Sequence, residues 1–368
     1  MKYYIIAGER SGDLHASNLL LALKDKDDNA QFRGMGGEYM EDAGCTLFAH
    51  YKEMALMGFV EVLMHFRRVF RYLSAVKQDM VAFQPDALIL VDFAGFNMKM
   101  ATFATQKGIK VHYYISPKFW AWNQNRAYRL KKNVDKLYTI LPFEPEFFKK
   151  FDWEVDYVGN PLLDEINKFQ PDKDFLSQHQ LGTRPLIALL PGSRKQEVNK
   201  MLHTMIGLKS SFDNVDWVIA GVRNLSADVY QMAEDAGIQV VYDKTYDILL
   251  HAKAAVVTSG TATLETALFN VPQVVVYKTS QISYAIGMQL IKVSFASLVN
   301  LIVDREVVKE LIQGEYQSEF VEEELRGIFE EGPKRTKVLE GYGELRGLLS
   351  NKKASQETAR LIFDSLSN

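Results

Sequence analysis

Apolar and polar positions follow two different spacings along the first half of the chain. Short apolar runs at residues 2–7, 86–92 and 111–115 are typical of buried strands, and residues 14–23 have the apolar spacing of a helix. A longer helix is predicted over about residues 59–83. Strands that alternate with helices predict a parallel sheet with helices on both faces, in which ligands bind at the carboxyl ends of the strands.

The same alternation starts again in the second half. A more polar stretch begins at residues 159–161, and we place a domain boundary there, between residues 1–160 and residues 161–368. The predicted strands beyond it are residues 186–190, 215–220, 240–242, 254–257 and 273–276. After residue 304 the pattern is helical to the end. We therefore expect an α/β protein with two doubly wound, Rossmann-like domains that face each other across a central cleft.

The composition narrows the class of protein. At 368 residues, with 47% apolar and 24% charged residues, the chain is typical of a soluble globular protein with two domains. A formal net charge of -3 gives no general reason to expect a nucleic acid partner. The single cysteine, Cys45, excludes a disulfide framework and a cysteine metal site, as expected in a reducing cytosol.

The sequence predicts neither a signal peptide nor a membrane span. The first residues enter a strand pattern directly. The most apolar region, residues 282–303, is interrupted by Gln289, Lys292, Ser294 and Asn300, whereas a spanning helix needs about 18 or more apolar residues in a row. We therefore expect a cytoplasmic protein.

The first candidate ligand site is a strand, a turn of small residues and a helix at residues 254–265. The N–H groups of residues 259–263 meet the positive end of the helix dipole, which suits phosphate, and Gly260 lets a ligand approach the main chain. One turn further on, Glu265 suits the hydroxyl groups of a ribose. The alternative is an ordinary helix that a hydroxyl side chain of the turn caps.

A second glycine turn follows the first strand of the second domain. Gly192, Ser193 and Arg194 combine a helix N-terminus, a hydroxyl and a guanidinium that can bind phosphate with two hydrogen bonds. The alternative is an ordinary turn with a surface arginine. Two such turns at strand ends in one domain favour a bound nucleotide diphosphate.

In the first domain, Asp92 follows an apolar strand. A carboxyl group at the end of a buried strand is poorly solvated, so its pKa can rise toward the range of a general base. The alternative is an N-cap for a helix that starts near Phe96.

Neither a dinucleotide nor a metal cofactor is predicted. The loop at residues 8–13 lacks the spacing of a dinucleotide fingerprint. Glu9 and Ser11 are still candidates for contact with a ligand in the cleft, and a helix cap by Ser11 or Asp13 is the alternative. The seven histidines form no i, i+4 pair, and no Cys or carboxylate cluster has the spacing of a metal site.

Residues 54–71 are rich in Met and Phe and end with three arginines. Apolar side chains that enter the membrane interface, next to arginines that meet anionic headgroups, are typical of a docking helix. The candidate docking residues are Met57, Phe59, Met64, Phe66, Arg67, Arg68 and Arg71. A helix that faces the core and has an exposed basic end explains the segment equally well.

Ten short segments carry a family resemblance. They are residues 8–13, 34–37, 57–63, 92–97, 116–122, 141–144, 158–162, 190–194, 259–265 and 299–302. In order and spacing they resemble the lipid-A-disaccharide synthase family, inverting glycosyltransferases of the two-domain GT-B type. The resemblance implies transfer from UDP-2,3-diacylglucosamine to 2,3-diacylglucosamine 1-phosphate, which gives a β-1,6-linked disaccharide 1-phosphate and UDP in lipid A biosynthesis.

The resemblance also implies residue roles. Asp92 matches the family's essential aspartate and would take the proton from the acceptor 6-hydroxyl as it attacks the anomeric carbon with inversion. The donor-binding residues would be Gly192, Ser193, Arg194, Ser259, Gly260, Thr261, Thr263 and Glu265. Asn97 and Asn300 are further candidates for the substrate cleft. The first domain would bind the acceptor and the second domain the UDP-sugar, without a metal or another cofactor.

Acylated substrates imply a peripheral protein on the cytoplasmic face of the inner membrane of a Gram-negative bacterium, which favours the docking interpretation of residues 54–71. A homodimer is one possible oligomeric state of the protein, and a monomer is the other. Gly95 stands where many family members have a second aspartate, and Lys118 and Phe119 stand where smaller residues are common. The alternatives are another UDP-sugar enzyme of this fold, either an epimerase or a transferase with a different acceptor, and a non-catalytic nucleotide-sugar-binding protein.

Overall fold

The computed structural model describes residues 1–55, 66–349 and 351–367. The chain divides into two compact units. The first comprises Met1–Asn167 together with Leu349–Asn368, and the second comprises Lys168–Leu348. Each is built around one parallel sheet, so the two doubly wound α/β domains predicted from the sequence are confirmed.

The first unit contains a seven-stranded sheet. Its strands are β1 (Lys2–Ala7), β2 (Gln31–Gly36), β3 (Thr46–His50), β4 (Ala87–Val91), β5 (Lys110–Tyr114), β6 (Lys136–Thr139) and β7 (Asp156–Tyr157). Its helices up to the boundary are α1 (Arg10–Lys24), α2 (Glu38–Asp42), α3 (Tyr51–Ala55), α4 (Phe66–Phe83), α5 (Ala94–Gln106), α6 (Arg126–Lys131), α7 (Glu144–Lys149) and α8 (Pro161–Lys168).

The strand order of this sheet is β3-β2-β1-β4-β5-β6-β7, and neighbouring strands run parallel. Every residue of β4 is buried, as expected for a central strand with helices on both faces. The direction of winding reverses between β1 and β4. Their carboxyl ends therefore form the switch point at which open α/β sheets bind ligands.

The second unit repeats this plan with six strands. They are β8 (Leu186–Leu190), β9 (Asp216–Gly221), β10 (Gln239–Tyr242), β11 (Ala252–Thr258), β12 (Gln273–Tyr277) and β13 (Glu310–Ile312). Its helices are α9 (Phe175–Gln178), α10 (Lys195–Gly207), α11 (Gln231–Asp235), α12 (Thr245–His251), α13 (Thr261–Leu268), α14 (Gln281–Leu290), α15 (Leu298–Val303), α16 (Ser318–Phe329) and α17 (Pro333–Leu348).

The strand order of the second sheet is β10-β9-β8-β11-β12-β13, which puts its switch point between β8 and β11. The sequence pattern predicted only helices after residue 304, and this was wrong for β13. That strand has three residues, and Leu311 pairs with Val276 of β12. A strand this short is defined by its partner rather than by its own periodicity.

The last helix, α18 (Ala354–Ser367), returns to the first unit. Its residues Ala354, Ala359 and Ile362 are fully buried in the same apolar core as Leu19 and Leu23 of α1. The predicted boundary at residue 161 differs from this arrangement, because it assigned the whole tail to the second domain. The apolar face of α18 is instead covered by α1.

Candidate active site

The candidate base lies at the switch point of the first sheet. β1 and β4 pair with Ala7 opposite Val91, so the loop that begins at Gly8 and the residue Asp92 leave the same edge. This is the edge at which the carboxyl ends of parallel strands present ligand-binding residues.

The backbone at Asp92 has an unusual conformation. Asp92 and Phe93 have φ values of 47° and 49°, and left-handed residues other than glycine persist only where their surroundings fix them, at a cost of about 1 to 3 kcal/mol each. Asn97 Nδ2 donates to the Asp92 carbonyl oxygen at 2.7 Å, and the Tyr113 hydroxyl donates to the same oxygen. Asp92 does not cap α5, because Phe93 occupies the N-cap position.

Opposing effects set the pKa of the Asp92 carboxyl. The residue is exposed at the sheet edge, but the surrounding protein removes part of its hydration, and this desolvation raises the pKa. The positive charge of Lys118 opposes the rise, the negative charge of Glu9 adds to it, and the Phe93 N–H lowers the pKa. The net shift is upward, which is the direction that suits a general base near neutral pH.

A buried carboxyl holds the loop that carries Lys118. Glu144, at the start of α7, accepts hydrogen bonds from the Ser116 hydroxyl and from Trp120 Nε1, the latter at 3.2 Å. Its other oxygen accepts from two backbone N–H groups just after β6, at 3.0 and 2.8 Å. Burial raises the pKa of Glu144, and these donors oppose the rise. Both sides of the Lys118 position are thus tied to the core.

The other residues of the first domain that were predicted to contact a ligand differ in their exposure to solvent. Glu9 and Ser11 are exposed at the start of α1. Asn97 is fully buried and donates to the carbonyl oxygens of Val91 and Asp92. The prediction that Asn97 contacts substrate does not fit this burial.

The predicted cap of α1 takes a different form. Ser11 lies inside the helix, and Glu9 occupies the N-cap position. Asp13 is fully buried and accepts hydrogen bonds from the N–H groups of Gly37, Tyr39 and Met40. It therefore fixes the start of α2 rather than that of α1.

In the second unit, the turn after β8 has the predicted shape. Gly192 has a φ of 111°, and a Cβ atom there would lie 2.8 Å from Glu197 Oε2, so only glycine fits. The N–H groups of Ser193 and Arg194 both donate to that same oxygen at 3.3 Å, and Arg194 Nη1 donates to Glu197 Oε1 at 3.1 Å. An internal carboxylate therefore occupies the donors that the prediction assigned to phosphate.

The turn after β11 places Gly260, with a φ of 156°, directly before α13. Two of its predicted hydroxyl donors are engaged inside the protein. Ser259 Oγ donates to the Ala296 carbonyl oxygen at 2.8 Å, and Thr263 Oγ1 donates to the Gly260 carbonyl oxygen at 2.8 Å. Thr261 is exposed at the first position of α13. The turn can therefore meet an anion with backbone N–H groups and the Thr261 hydroxyl.

Glu265 lies one turn into α13. It is half-buried, and its Oε1 accepts a hydrogen bond from the Tyr246 hydroxyl at 3.1 Å. Burial raises the pKa of Glu265, and the hydrogen bond from Tyr246 lowers it by a smaller amount. The arrangement fixes one carboxyl oxygen and suits hydrogen bonds to hydroxyl groups through the other.

Asn300 has a structural role here. It is fully buried, its Nδ2 donates to the Val308 carbonyl oxygen at 2.9 Å and to Glu310 Oε1 at 2.8 Å, and its Oδ1 accepts from the N–H groups of Val307 and Val308. The prediction that Asn300 contacts substrate does not fit, because its side chain joins α15 to β13.

The predicted docking segment is only partly described. Met57, Phe59 and Met64 lie outside the described residues, as do the side chains of Phe66, Arg67 and Arg68. Arg71, in α4, is exposed. No helix among residues 1–55, 66–349 and 351–367 is long and apolar enough to cross a membrane. In these same ranges, no group of three or more His, Cys, Asp or Glu side chains is placed to hold a metal ion.

Four residues that shape these sites were not predicted: Tyr113, Glu144, Glu197 and Tyr246. Glu197 carries a local signal, because a glutamate at the third position of a helix can accept a hydrogen bond from the N-cap N–H, here that of Arg194. The two tyrosines carry none, because their partners lie 21 and 19 residues away along the chain.

Comparison with known families agrees with the geometry. The family model described as Lipid-A-disaccharide synthetase matches residues 3–362. The lipid-A-disaccharide synthase of Syntrophus aciditrophicus is 36% identical over 366 residues, covering 96% of this chain and 95% of that protein. The enzyme of the same name from Myxococcus xanthus is 34% identical over 372 residues, covering 98% and 97%.

Solved structures with low sequence identity share the fold. The glycosyltransferase of kitacinnamycin aligns with a TM-score of 0.67 at 12% identity, covering 99% of both chains. A UDP complex of MnaA from S. aureus aligns with a TM-score of 0.67 at 10% identity, covering 100% of this chain and 96% of that one. The two parallel-sheet units thus have the GT-B fold. By its family match and its relatives, this chain belongs to the lipid-A-disaccharide synthase family of UDP-sugar-dependent glycosyltransferases.

Proposed function

We propose that this protein transfers 2,3-diacylglucosamine from UDP-2,3-diacylglucosamine to 2,3-diacylglucosamine 1-phosphate and releases UDP. The observation that carries the proposal is Asp92, a carboxyl with a raised pKa, fixed at a ligand-binding sheet edge in a member of this family. Two glycine turns at the corresponding edge of the second sheet support a nucleotide diphosphate as the donor group.

Asp92 acts as the general base in this proposal. The acceptor 6-hydroxyl oxygen attacks the anomeric carbon of the donor, and Asp92 accepts the hydroxyl proton. The bond between the anomeric carbon and the β-phosphate oxygen breaks, so UDP leaves with the electron pair and the configuration inverts. The raised pKa of Asp92 supports this role, because proton transfer is most effective when the pKa of the base approaches the working pH.

The turn after β8 binds the diphosphate. The N–H groups of Ser193 and Arg194, which follow Gly192, and the guanidinium of Arg194 stabilise the charge that develops on the leaving group. Arg194 has a side chain that is 71% exposed, so it can turn from Glu197 to a phosphate. In this exchange the diphosphate takes the place of the Glu197 carboxylate as the acceptor.

The turn after β11 completes the donor site. Gly260 and Thr261 contribute N–H groups, and Thr261 also contributes its hydroxyl. Ser259 and Thr263 hold the turn in shape. Glu265 binds the ribose hydroxyls through the carboxyl oxygen that Tyr246 does not contact. No residue of this site requires a metal ion for these contacts.

The acylated substrates place the protein at a lipid surface. We assign the docking role to residues 54–71, with the protein peripheral on the cytoplasmic face of the inner membrane of a Gram-negative bacterium. The support is the Met, Phe and Arg content of this segment. A homodimer is compatible with the proposal.

The direct test is UDP release by the purified protein in mixed micelles that contain UDP-2,3-diacylglucosamine. We expect UDP only when 2,3-diacylglucosamine 1-phosphate is also present, with no effect of EDTA. Release without the acceptor would favour an epimerase or hydrolase reaction of the same fold. UDP binding without any release would favour a non-catalytic nucleotide-sugar-binding protein, and inhibition by EDTA would contradict the metal-free mechanism.

A further inference from the structure

Helix α14 has an unusual composition for a surface helix. None of its ten residues, Gln281–Leu290, is charged. The nearest charged residues in the sequence are Lys278 before it and Lys292 after it, and the next one beyond Lys292 is Asp304. The stretch from residue 278 to residue 303 therefore contains two positive charges and no negative charge.

Described side chains at the carboxyl end of α14 face solvent. Leu290 is 49% exposed and Ile291 is 52% exposed. Lys278 and Lys292 are exposed as well. Single exposed apolar residues are common on protein surfaces, whereas Leu290 and Ile291 are adjacent and lie at the end of a helix without charged residues.

This helix belongs to the ligand-binding edge of the second sheet. It follows β12, whose carboxyl end lies beside that of β11, because the Ser259 N–H donates to the Val276 carbonyl oxygen at 2.9 Å. The chain after α14 returns to the same turn, where Ser259 Oγ contacts the Ala296 carbonyl oxygen. Leu290 and Ile291 are therefore linked through a few residues to the turn assigned to the donor.

We propose that the carboxyl end of α14 is a second lipid-contacting surface, separate from residues 54–71. Leu290 and Ile291 enter the interface of an anionic membrane, and Lys278 and Lys292 contact its phosphate headgroups. Charge decides between a membrane and a protein partner: two lysines without a nearby carboxylate in the segment match the negative surface of a lipid bilayer. The surface lies at the edge of a site whose family makes a lipid.

The test is partition of the full-length protein onto vesicles, measured by sedimentation without any substrate. The vesicles contain phosphatidylethanolamine with or without phosphatidylglycerol. The double variant Leu290→Ser, Ile291→Ser should bind both kinds of vesicle about 10-fold or more weakly than the wild type. The double variant Lys278→Gln, Lys292→Gln should lose most of the gain that phosphatidylglycerol gives the wild type and should depend less on salt.

Leu250→Ser is the matched control. Leu250 is 46% exposed in α12, which leads into the amino end of β11, at the opposite edge of the same sheet. This variant should partition like the wild type. Unchanged UDP affinity and circular dichroism would show that each variant is folded.

Several outcomes would overturn the inference. They are wild-type partition by the Leu290→Ser, Ile291→Ser variant, an equal loss with Leu250→Ser, or a change in self-association instead of vesicle binding, which would mark an interface between two copies. The proposed reaction is tested separately, because partition is measured without turnover. A wild type that releases no UDP but binds vesicles through Leu290 and Ile291 would refute the reaction and leave this surface in place.

Discussion

Asp92 combines a fixed backbone with a carboxyl whose pKa depends on its neighbours. Its carbonyl oxygen accepts hydrogen bonds from Asn97 and Tyr113, while Lys118 and Glu9 act on its carboxyl with opposite sign. The sequence predicted the position of Asp92 because a carboxylate at the end of an apolar strand is a local pattern. The sequence could not predict how neighbouring charges shift the pKa of Asp92, because Lys118 belongs to another loop.

Replacing Asp92 by Asn should remove the base and preserve the shape of the site. We expect the Asp92→Asn variant to lose about 10² to 10⁴ in kcat, the usual contribution of one general base. UDP affinity, measured by calorimetry, should not change, because the donor turns belong to the other unit. Full activity in this variant would refute the role of Asp92.

The pH profile should respond to Lys118 and Glu9 in opposite directions. A base works only when deprotonated, so kcat/KM should fall as the pH drops through the pKa of Asp92. Lys118→Met removes an effect that lowers this pKa, so the acidic limb should move to higher pH; Glu9→Gln removes an effect that raises it, so the limb should move to lower pH. Lys110→Met, at the other end of β5, is the control and should leave the limb in place. Equal shifts in all three variants would contradict this account.

At the scale of elements, strand ends and glycine turns were predictable, and their internal contacts were not. The turn after β8 has the predicted glycine, and Glu197, at the third position of α10, accepts from the N–H group of the N-cap residue Arg194. The Ser259 and Thr263 hydroxyls were predicted as ligand donors, but they contact Ala296 and Gly260 instead. Ala296 is 37 residues from Ser259, so no local pattern could have revealed the first of these contacts.

The junction of β4 and α5 should depend on Tyr113. Tyr113→Phe removes one of the two side-chain donors on the Asp92 carbonyl oxygen, and a hydrogen bond of this kind is worth about 0.5 to 1.5 kcal/mol. We expect kcat to fall up to about 10-fold with little change in UDP affinity. The matched control is Tyr138→Phe in β6, whose hydroxyl contacts His112 Nδ1 at 2.9 Å. A rate loss as large in Tyr138→Phe would indicate general loosening of the sheet rather than an effect on Asp92.

At the scale of the whole molecule, the sequence predicted two α/β domains but not the path of the tail. The periodicity of residues 354–367 predicts an amphipathic helix. Any apolar surface of suitable shape can cover the apolar face of such a helix, so the periodicity does not identify the partner. Its partner α1 begins at residue 10, so the contact joins the two ends of the chain. Contacts of such long range are set by the completed fold.

Removing residues 349–368 should destabilise the first unit alone. The truncation exposes Leu19 and Leu23 and removes Ile362 from their core, which should cost at least about 3 kcal/mol. Trp217 is the one tryptophan of the second unit, whereas the other three belong to the first. In a Trp217→Phe background, thermal unfolding followed by tryptophan fluorescence therefore reports on the first unit.

The control for this truncation is Arg360→Ala on the exposed side of α18, where Arg360 pairs with Glu357 and Asp364. It should stay within about 0.5 kcal/mol of the parent, as is usual for surface substitutions. An unchanged fluorescence transition after truncation would show that α18 adds nothing to the core.

The return of α18 also determines the order in which the protein can mature on the ribosome. Domains usually fold in the order of synthesis, N-terminal first. Here the N-terminal sheet emerges first but receives α18 only after Lys168–Leu348 has been synthesised. The apolar face of α1 in the nascent N-terminal half therefore remains uncovered while nearly two hundred further residues are made. A chaperone that shields apolar helices would have its longest access during this period.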